Sequence, residues 1–436
     1  MMPFGVGGTW RRAVIGLAAL LATGAVPARA ATPYLVADAD SGQVLIENNA
    51  TAQWYPASLT KLMTVYVALD AVRGGKLSLD TPLVMSARAA RMPASKMGFR
   101  PGTEVTLDNA LKMLMVKSPN DVAVLVAEGV SGSVESFASD MNGAAQRLGL
   151  HESHFVNPNG LHDPDHFSSA RDMAMIARAL LREFPDHADL FSIGALQLGN
   201  QYIPNHNGLL GRYPGADGMK TGFTCPAGFN VVASANHFGR RLIVVVLGAP
   251  TARSRNQEAA DLFDRGFAMG GGSGSLESLP SSGESAPNMR ADVCLRRNAA
   301  AIAAAEDDGA GEPVQVQASA AAGRGGGSLP TPFAALLAPV AHTELSNERI
   351  RFDPVRVFIG PAPGWTGPAL GARPTGAATA SNDAQGADAN PPATPHGVRG
   401  KHKPKPARHP AAEAKTQKVM AAKTVKPKPD AGGGDK

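Results

Sequence analysis

The sequence predicts an α+β protein with strands at both ends of a helical middle. Three observations carry this. A strand-type hairpin pattern opens the chain just after residue 33. A 3.6-residue apolar period runs through most of residues 59–182. Strand-type runs return between 219 and 247, before one last helix. In that order, the first and last strands are expected to share one antiparallel sheet.

Tyr34 to Asp38 and Gln43 to Glu47 flank the turn Ala39-Asp40-Ser41-Gly42 and read as a hairpin. A helix is expected from Leu59 to about Val72, with Leu59, Leu62, Met63, Tyr66 and Leu69 on one face and Gly74-Gly75 as its stop. Residues 82–105 have no clear period and read as loop. Leu107 to Met115 reads as a short helix. Ser118-Pro119-Asn120 then interrupts the pattern, and Asp121 to Val130 resumes it. Val134 to Leu148 is amphipathic and ends at Gly149; residues 151–168 form a polar loop; Ala170 to Arg182 is helical. Met219 to Phe223, Phe229 to Ser234 and Arg241 to Leu247 then read as strands, and Thr251 to Phe267 as the last helix, stopped by Gly270-Gly271-Gly272.

Composition divides the rest. Arg11 and Arg12, the short apolar run from Ala13 to Val26, and the small-x-small site Ala28-Arg29-Ala30 make residues 1–30 a secretory signal. The folded body is expected over 31–270. A Gly/Ala/Ser-rich linker follows over 271–328, and a small partly folded segment over 329–360, where prolines interrupt an apolar stretch and Pro354 interrupts strand-like residues. Residues 361–436 read as a disordered, basic, Pro/Ala/Lys-rich tail. The net charge of +5 is unevenly spread. An excess of eight positive charges after residue 398 and three in the leader leave the stretch between them at −6. The overall basicity therefore gives no ground for a nucleic-acid-binding fold. The tail's charge suits anionic wall polymers or a membrane surface. The two cysteines, Cys225 and Cys294, either pair or remain thiols, and spacing does not decide between these.

Three short motifs occur in order: Ser58-Leu59-Thr60-Lys61, Ser118-Pro119-Asn120 and Lys220-Thr221-Gly222. Each alone has a plainer structural role. Ser58 and Ser118 suit helix N-caps, and Lys220 suits an exposed strand end. Together they form a chemical set. A serine needs an adjacent base to attack at neutral pH, and a lysine three residues on shares its helix face. Lys61 can act as base only when uncharged, which burial and a second cation such as Lys220 both favour. The combination Ser-x-x-Lys, Ser-x-Asn and Lys-Thr-Gly is the serine acyl-transferase set of penicillin-binding proteins and class A β-lactamases.

Residues 33 to about 267 resemble the low-molecular-weight penicillin-binding proteins, the D-alanyl-D-alanine carboxypeptidases of peptidase family S11. The resemblance rests on Tyr55-Pro-Ala-Ser-Leu-Thr-Lys-Leu-Met-Thr, Ser118-Pro-Asn-Asp, His154-Phe-Val-Asn-Pro-Asn-Gly-Leu, Asp217-Gly-Met-Lys-Thr-Gly-Phe-Thr and Ala227-Gly-Phe-Asn-Val-Val-Ala-Ser-Ala. It implies a β-lactamase/transpeptidase-like fold, a helical cluster on an antiparallel sheet with the site between them. It also implies a serine DD-carboxypeptidase that removes the terminal D-Ala of peptidoglycan stem peptides and is acylated by β-lactams. Ser58, Lys61, Ser118 and Asn120 are then catalytic. Lys220, Thr221, Gly222 and Arg255 bind substrate, and the backbone N–H groups of Ser58 and Phe223 form the oxyanion site. No cofactor or metal is implied, and the expected location is the periplasm or cell envelope.

The chain departs from the family pattern at Pro119, where glycine is common, and at His206, where some members have arginine. Arg253 competes with Arg255 for the carboxylate site. A DD-endopeptidase would use the same residues. A class A β-lactamase is disfavoured because no convincing Glu-x-x-Leu-Asn is present. A non-catalytic wall-binding protein would leave the intact motif set unexplained. The His-rich loop, with His151, His154, His162 and His166, offers a metal-site alternative, but His-Glu-Ser-His is one residue short of the helical zinc-protease spacing.

Overall fold

A computed structural model describes residues 32–295, 342–345 and 348–371. The signal segment, the stretch 329–340, most of the expected linker and nearly all of the basic tail lie outside the described residues.

The chain begins with strands β1 (Tyr34–Asp38) and β2 (Val44–Asn48), then helix α1 (Thr60–Arg73). Next come β3 (Pro82–Val84), α2 (Ala87–Ala90) and β4 (Glu104–Thr106), followed by helices α3 (Leu107–Val116), α4 (Asn120–Ser131), α5 (Val134–Arg147) and α6 (Ala170–Glu183). The hairpin β5 (Ala195–Leu198) and β6 (Gln201–Pro204) leads into three long strands, β7 (Ala216–Thr224), β8 (Gly228–His237) and β9 (Arg240–Ala249). Helix α7 (Ala252–Ala268), the short α8 (Arg290–Val293) and strand β10 (Val355–Val357) complete the described elements.

The main sheet has the order β2-β1-β9-β8-β7, antiparallel throughout. The expected union of first and last strands is therefore present, with Tyr34 opposite Val246 and Asp38 opposite Leu242. From Leu242 to Ala249 every residue of β9 is buried, the pattern of a strand covered on both faces. Helices α6 and α7 both pack on it. Thr251 caps α7 through Ser254 in a capping box. At one end of the sheet β7 is an edge strand, and the turn leading into α1 packs against it.

Helix α1 was expected to bury one face. Instead every residue from Thr60 to Leu69 is buried, because α3, α4, α5 and α6 surround it. It is the core helix of the helical half. Residues 82–105, read as loop, contain β3, α2 and most of β4; elements of three or four residues are too short to express a period.

The chain beyond Gly270 differs most from expectation. Its composition predicted a linker from 271, yet the following residues dock on the body. Gly272 lies so close to Val44 that a Cβ there would fall 1.9 Å from the Val44 carbonyl oxygen. Leu276 is fully buried, and the Arg171 Nε donates to its carbonyl at 2.7 Å. Cys294 closes a disulfide to Cys225, resolving the open pairing.

Residues 342–345 and 348–371 form a strap along the body rather than a separate module. Thr343 N donates to Asp264 of α7 at 2.6 Å. Strand β10 adds in parallel to β5. Pro354 sits immediately outside it, as an edge strand tolerates. Gly360 N reaches Glu104 O, and Leu370 pairs by backbone with Pro82 and Val84, so the ordered chain runs past the expected start of disorder at 361. Composition misjudged these segments because their stability comes from surfaces supplied by the body, not from a core of their own.

Candidate active site

The site is built where the turn before α1 meets the edge strand β7. Ala57–Leu59 forms a 3-10 turn that runs directly into α1, with Ser58 at its centre. Ser58 does not cap the helix: the N-cap is Pro56 for the turn and Leu59 for α1, and neither position has a side-chain capping bond. Ala57 takes the left-handed conformation at φ 49°, a strained geometry for a residue with a Cβ. The surroundings enforce it. Asn230 of β8 donates from Nδ2 to Tyr55 O at 2.9 Å and Pro56 O at 3.2 Å. Trp54 Nε1 donates to Ala227 O at 2.8 Å. On β7, a Cβ at Gly222 would lie 2.9 Å from Ser58 N and 3.0 Å from Pro56 O, so only glycine lets strand and turn approach this closely.

One helical turn after Ser58, Lys61 is fully buried. Its Nζ lies 3.0 Å from Ser58 Oγ, 2.9 Å from Asn120 Oδ1 and 2.8 Å from Asn159 O. The Asn120 amide is oriented by its other end, where Nδ2 donates to Pro93 O and Ala94 O. Both Asn120 Oδ1 and Asn159 O can only accept, so a neutral amine directs its two N–H groups at them and its lone pair at the Ser58 hydroxyl. Burial pushes the Lys61 pKa well below the ordinary lysine value; the Lys220 charge adds to this, and Asp121 opposes it.

Ser118 precedes α4 in a left-handed conformation, φ 58°. Its Oγ is buried and has no hydrogen-bond partner among the described residues. Asp121 accepts from Met97 N at 3.0 Å and Gly98 N at 2.8 Å, fixing the loop before Ser118's neighbours. Lys220 and Thr221 are buried on β7, and Lys220 Nζ donates to Thr221 O at 2.8 Å.

These elements enclose a cavity of about 220 Å³ lined by Ser58, Ser118, Asn120, Lys220, Thr221 and Arg255, among others. Gly222 and Phe223 also line it. All nine residues singled out from sequence either line this cavity or, like Lys61, bond directly to a residue that does. The choice between the two arginines is now clear in position. Arg255 faces the cavity, whereas Arg253 lines a separate surface hollow with His342 and Glu344.

Sequence reasoning assigned no role to Asn159, whose carbonyl holds Lys61, or to Ser95, which lines the cavity and accepts from Asn120 N at 2.7 Å. The signal for Asn159 was present in Asn157-Pro158-Asn159-Gly160. Gly160 has φ 78°, and a Cβ there would overlap Ala57 O at 1.8 Å. The His-rich loop thus braces the nucleophile turn. His166 accepts from Val156 N on Nδ1 at 3.1 Å, so Nε2 carries the proton toward Thr60 Oγ1 at 2.8 Å. Burial holds its pKa down to about 3. His154 Nδ1 is engaged separately with Asp165 O, and His162 packs edge-on against Tyr55. Among the described residues, no three His, Cys, Asp or Glu side chains converge on a common metal position.

The family profile for D-alanyl-D-alanine carboxypeptidases, peptidase family S11, matches residues 22–251. The chain belongs to this family. The D-alanyl-D-alanine carboxypeptidase DacA of Haemophilus influenzae is 40% identical over 248 residues, covering 56% of this chain and 63% of the relative. The chain therefore spans less than two thirds of that relative's length. Among solved structures, a D-alanyl-D-alanine carboxypeptidase from Mycobacterium tuberculosis H37Rv aligns with TM-score 0.52 and 32% identity, over 58% of this chain and 98% of that one. Penicillin-binding protein D2 from Listeria monocytogenes, in its ampicillin-bound form, aligns with TM-score 0.50 and 28% identity, over 54% of this chain and 96% of that one.

Within this carboxypeptidase fold, two features of the chain stand out. Pro119 is the N-cap of α4 and offers no N–H to the cavity. His206 lines the cavity, with its pKa pushed down to about 3 by burial and then by the charges of Lys220, Lys117, Arg255 and Arg349, so the imidazole is neutral at physiological pH. The family match ends at residue 251, before Arg255, α7, the disulfide partner Cys294 and the strap.

Proposed function

We propose that this chain is a serine DD-carboxypeptidase of the cell envelope, exported by residues 1–30, that removes the terminal D-Ala of peptidoglycan stem peptides. The observation that carries this is the placement of Lys61 Nζ against Ser58 Oγ, with both amine hydrogens committed to Asn120 and Asn159.

The reaction follows from that arrangement. The stem peptide lies extended along β7, whose outer edge has no partner strand in the sheet and can pair with it. Its terminal carboxylate meets Arg255 and Thr221, with Lys220 beside them. Ser58 Oγ attacks the carbonyl of the penultimate D-Ala while its proton passes to Lys61 Nζ. The oxyanion receives the backbone N–H groups of Ser58 and Phe223, which stand on either side of the close approach at Gly222. When the C–N bond breaks, the proton moves from Lys61 through Ser118 Oγ to the leaving amine. An unpartnered, buried hydroxyl on the cavity wall suits this relay. Water then attacks the ester and gives a proton to Lys61, and Ser58 recovers its own as the ester bond breaks.

A β-lactam would acylate the same serine, and the ampicillin-bound Listeria neighbour supports it as a ligand class. The disulfide and the leader both suit an oxidising compartment outside the cytosol. The test is release of D-Ala from a stem peptide ending in D-Ala-D-Ala. Release by the wild type and its loss in Ser58→Ala are expected. Release only from crosslinked muropeptides would reassign the site to an endopeptidase, and release from neither would remove the peptidase reading.

A further inference from the structure

Arg349 lies far from the motifs in sequence and outside the residues matched by the family profile, yet it holds the backbone on both sides of His206, a residue of the cavity wall. The residue is 8% exposed. Such a burial is tolerable only with partners. Nε donates to Leu210 O at 2.9 Å, and the two terminal nitrogens donate to Asn205 O at 2.7 Å and Asn207 O at 3.0 Å. These carbonyls bracket His206, the cavity residue where the chain departs from the family.

The loop that Arg349 gathers links both halves of the site. His206 N donates to Val116 O at 3.3 Å, two residues before Ser118. Asn207 Nδ2 donates to Gly218 O at 3.0 Å, two residues before Lys220. The strap holds the guanidinium in place. The Phe352 ring fills the space over Gly194, where a Cβ would come within 2.0 Å of it, and also contacts Gly211. Arg349 stacks on that ring at 5.5 Å, and β10 pairs with β5.

We propose that Arg349 is a positioning residue for substrate binding: it fixes the backbone of residues 205–210 and thereby sets His206 against the substrate, so the strap shapes the cavity through His206. This rests on the DD-peptidase reading of the cavity. His206 lies on the substrate-binding wall with Lys220 and Arg255, not among the partners of Lys61, so its displacement weakens binding more than chemistry. A guanidinium spans three carbonyls that one ammonium cannot reach together.

The full chain carrying Arg349→Ala is compared with Val357→Ala, which trims a buried β10 side chain while leaving the Arg349 bonds, the Phe352 contact and the backbone pairing with β5 in place. Thermal melts, kcat and KM for a D-Ala-D-Ala peptide, and the rate of penicillin acylation are measured for each. Arg349→Ala is expected to raise KM about tenfold with little change in kcat. Val357→Ala is expected to lower the melting temperature with KM unchanged. In the His206→Ala background, the KM effect of Arg349→Ala should largely disappear, because coupled positions are not additive. If Arg349→Ala does not fold, Arg349→Lys replaces it, with the same expected rise in KM and the same coupling. KM at the wild-type value in a folded Arg349 variant, or effects fully additive with His206→Ala, overturns the proposal. If the wild type releases no D-Ala, the DD-peptidase reading fails separately, and the penicillin acylation rates of the same variants still decide whether Arg349 positions the cavity.

Discussion

Lys61 and His166 show how burial assigns protonation states here. Both are enclosed with fixed partners, and burial lowers the pKa of both, favouring the uncharged form. For Lys61 this suits the base role proposed for it; for His166 it supplies a brace beneath the turn that carries Ser58. The consequence for His166 is measurable. Its pKa is about 3 in the folded protein against 6.5 unperturbed. Between those values the unfolded chain binds a proton that the native state refuses, so stability falls as pH drops from 6.5 toward 3. The neutral His206 acts in the same window. Melting temperatures from pH 7 to 4 should therefore decline less steeply in His166→Gln than in the wild type. That variant should also lose about 1–3 kcal/mol at pH 7 from the disturbed bonds to Thr60 and Val156. An unchanged slope contradicts the protonation assignment. At this scale the sequence was readable in that Ser58, Lys61, Ser118, Asn120 and Lys220, singled out by motif, meet at one cavity. Asn159 and Ser95 contribute chiefly backbone carbonyls to the network, which any residue type carries, so their identities could not announce the role.

Among the elements, the contact of β7 with the turn before α1 decides the geometry. Gly222→Ala would push a methyl against Ser58 N, Pro56 O and Leu59 N, all backbone atoms that cannot swing aside. Strand and turn must then separate, and with them the N–H groups of Ser58 and Phe223 proposed to receive the oxyanion. The expected result is acylation by penicillin slowed about a hundredfold, with the protein still folded by circular dichroism; a rate within twofold of wild type contradicts this geometry. The long strands and helices were legible because their periods repeat: β7, β8 and β9 enclose the expected runs and extend them by a few residues. The β5–β6 hairpin was not, although the Gly199-Asn200 turn is a hairpin signal, because four-residue strands flank it. Strand β10 carried still less signal, since its pairing partner lies about 160 residues earlier in the chain.

Across the whole molecule, the disulfide and the strap extend the body well past the last core helix. Cys225 follows directly on β7 and pairs with Cys294 across 69 residues. Removing both thiols with Cys225→Ser and Cys294→Ser should lower unfolding stability by about 2–4 kcal/mol, read from denaturant titration; no loss would mean the crosslink closes nothing that packing has not already fixed. Neither cysteine pairing nor strap docking could be derived from composition, because both depend on distances set by the rest of the fold. The central claim is that Ser58 is the acylated nucleophile. Incubation with labelled penicillin followed by peptide mass spectrometry tests it most directly. The account predicts a single adduct on the peptide containing Ser58, absent in Ser58→Ala; no adduct, or one that persists in Ser58→Ala, contradicts it.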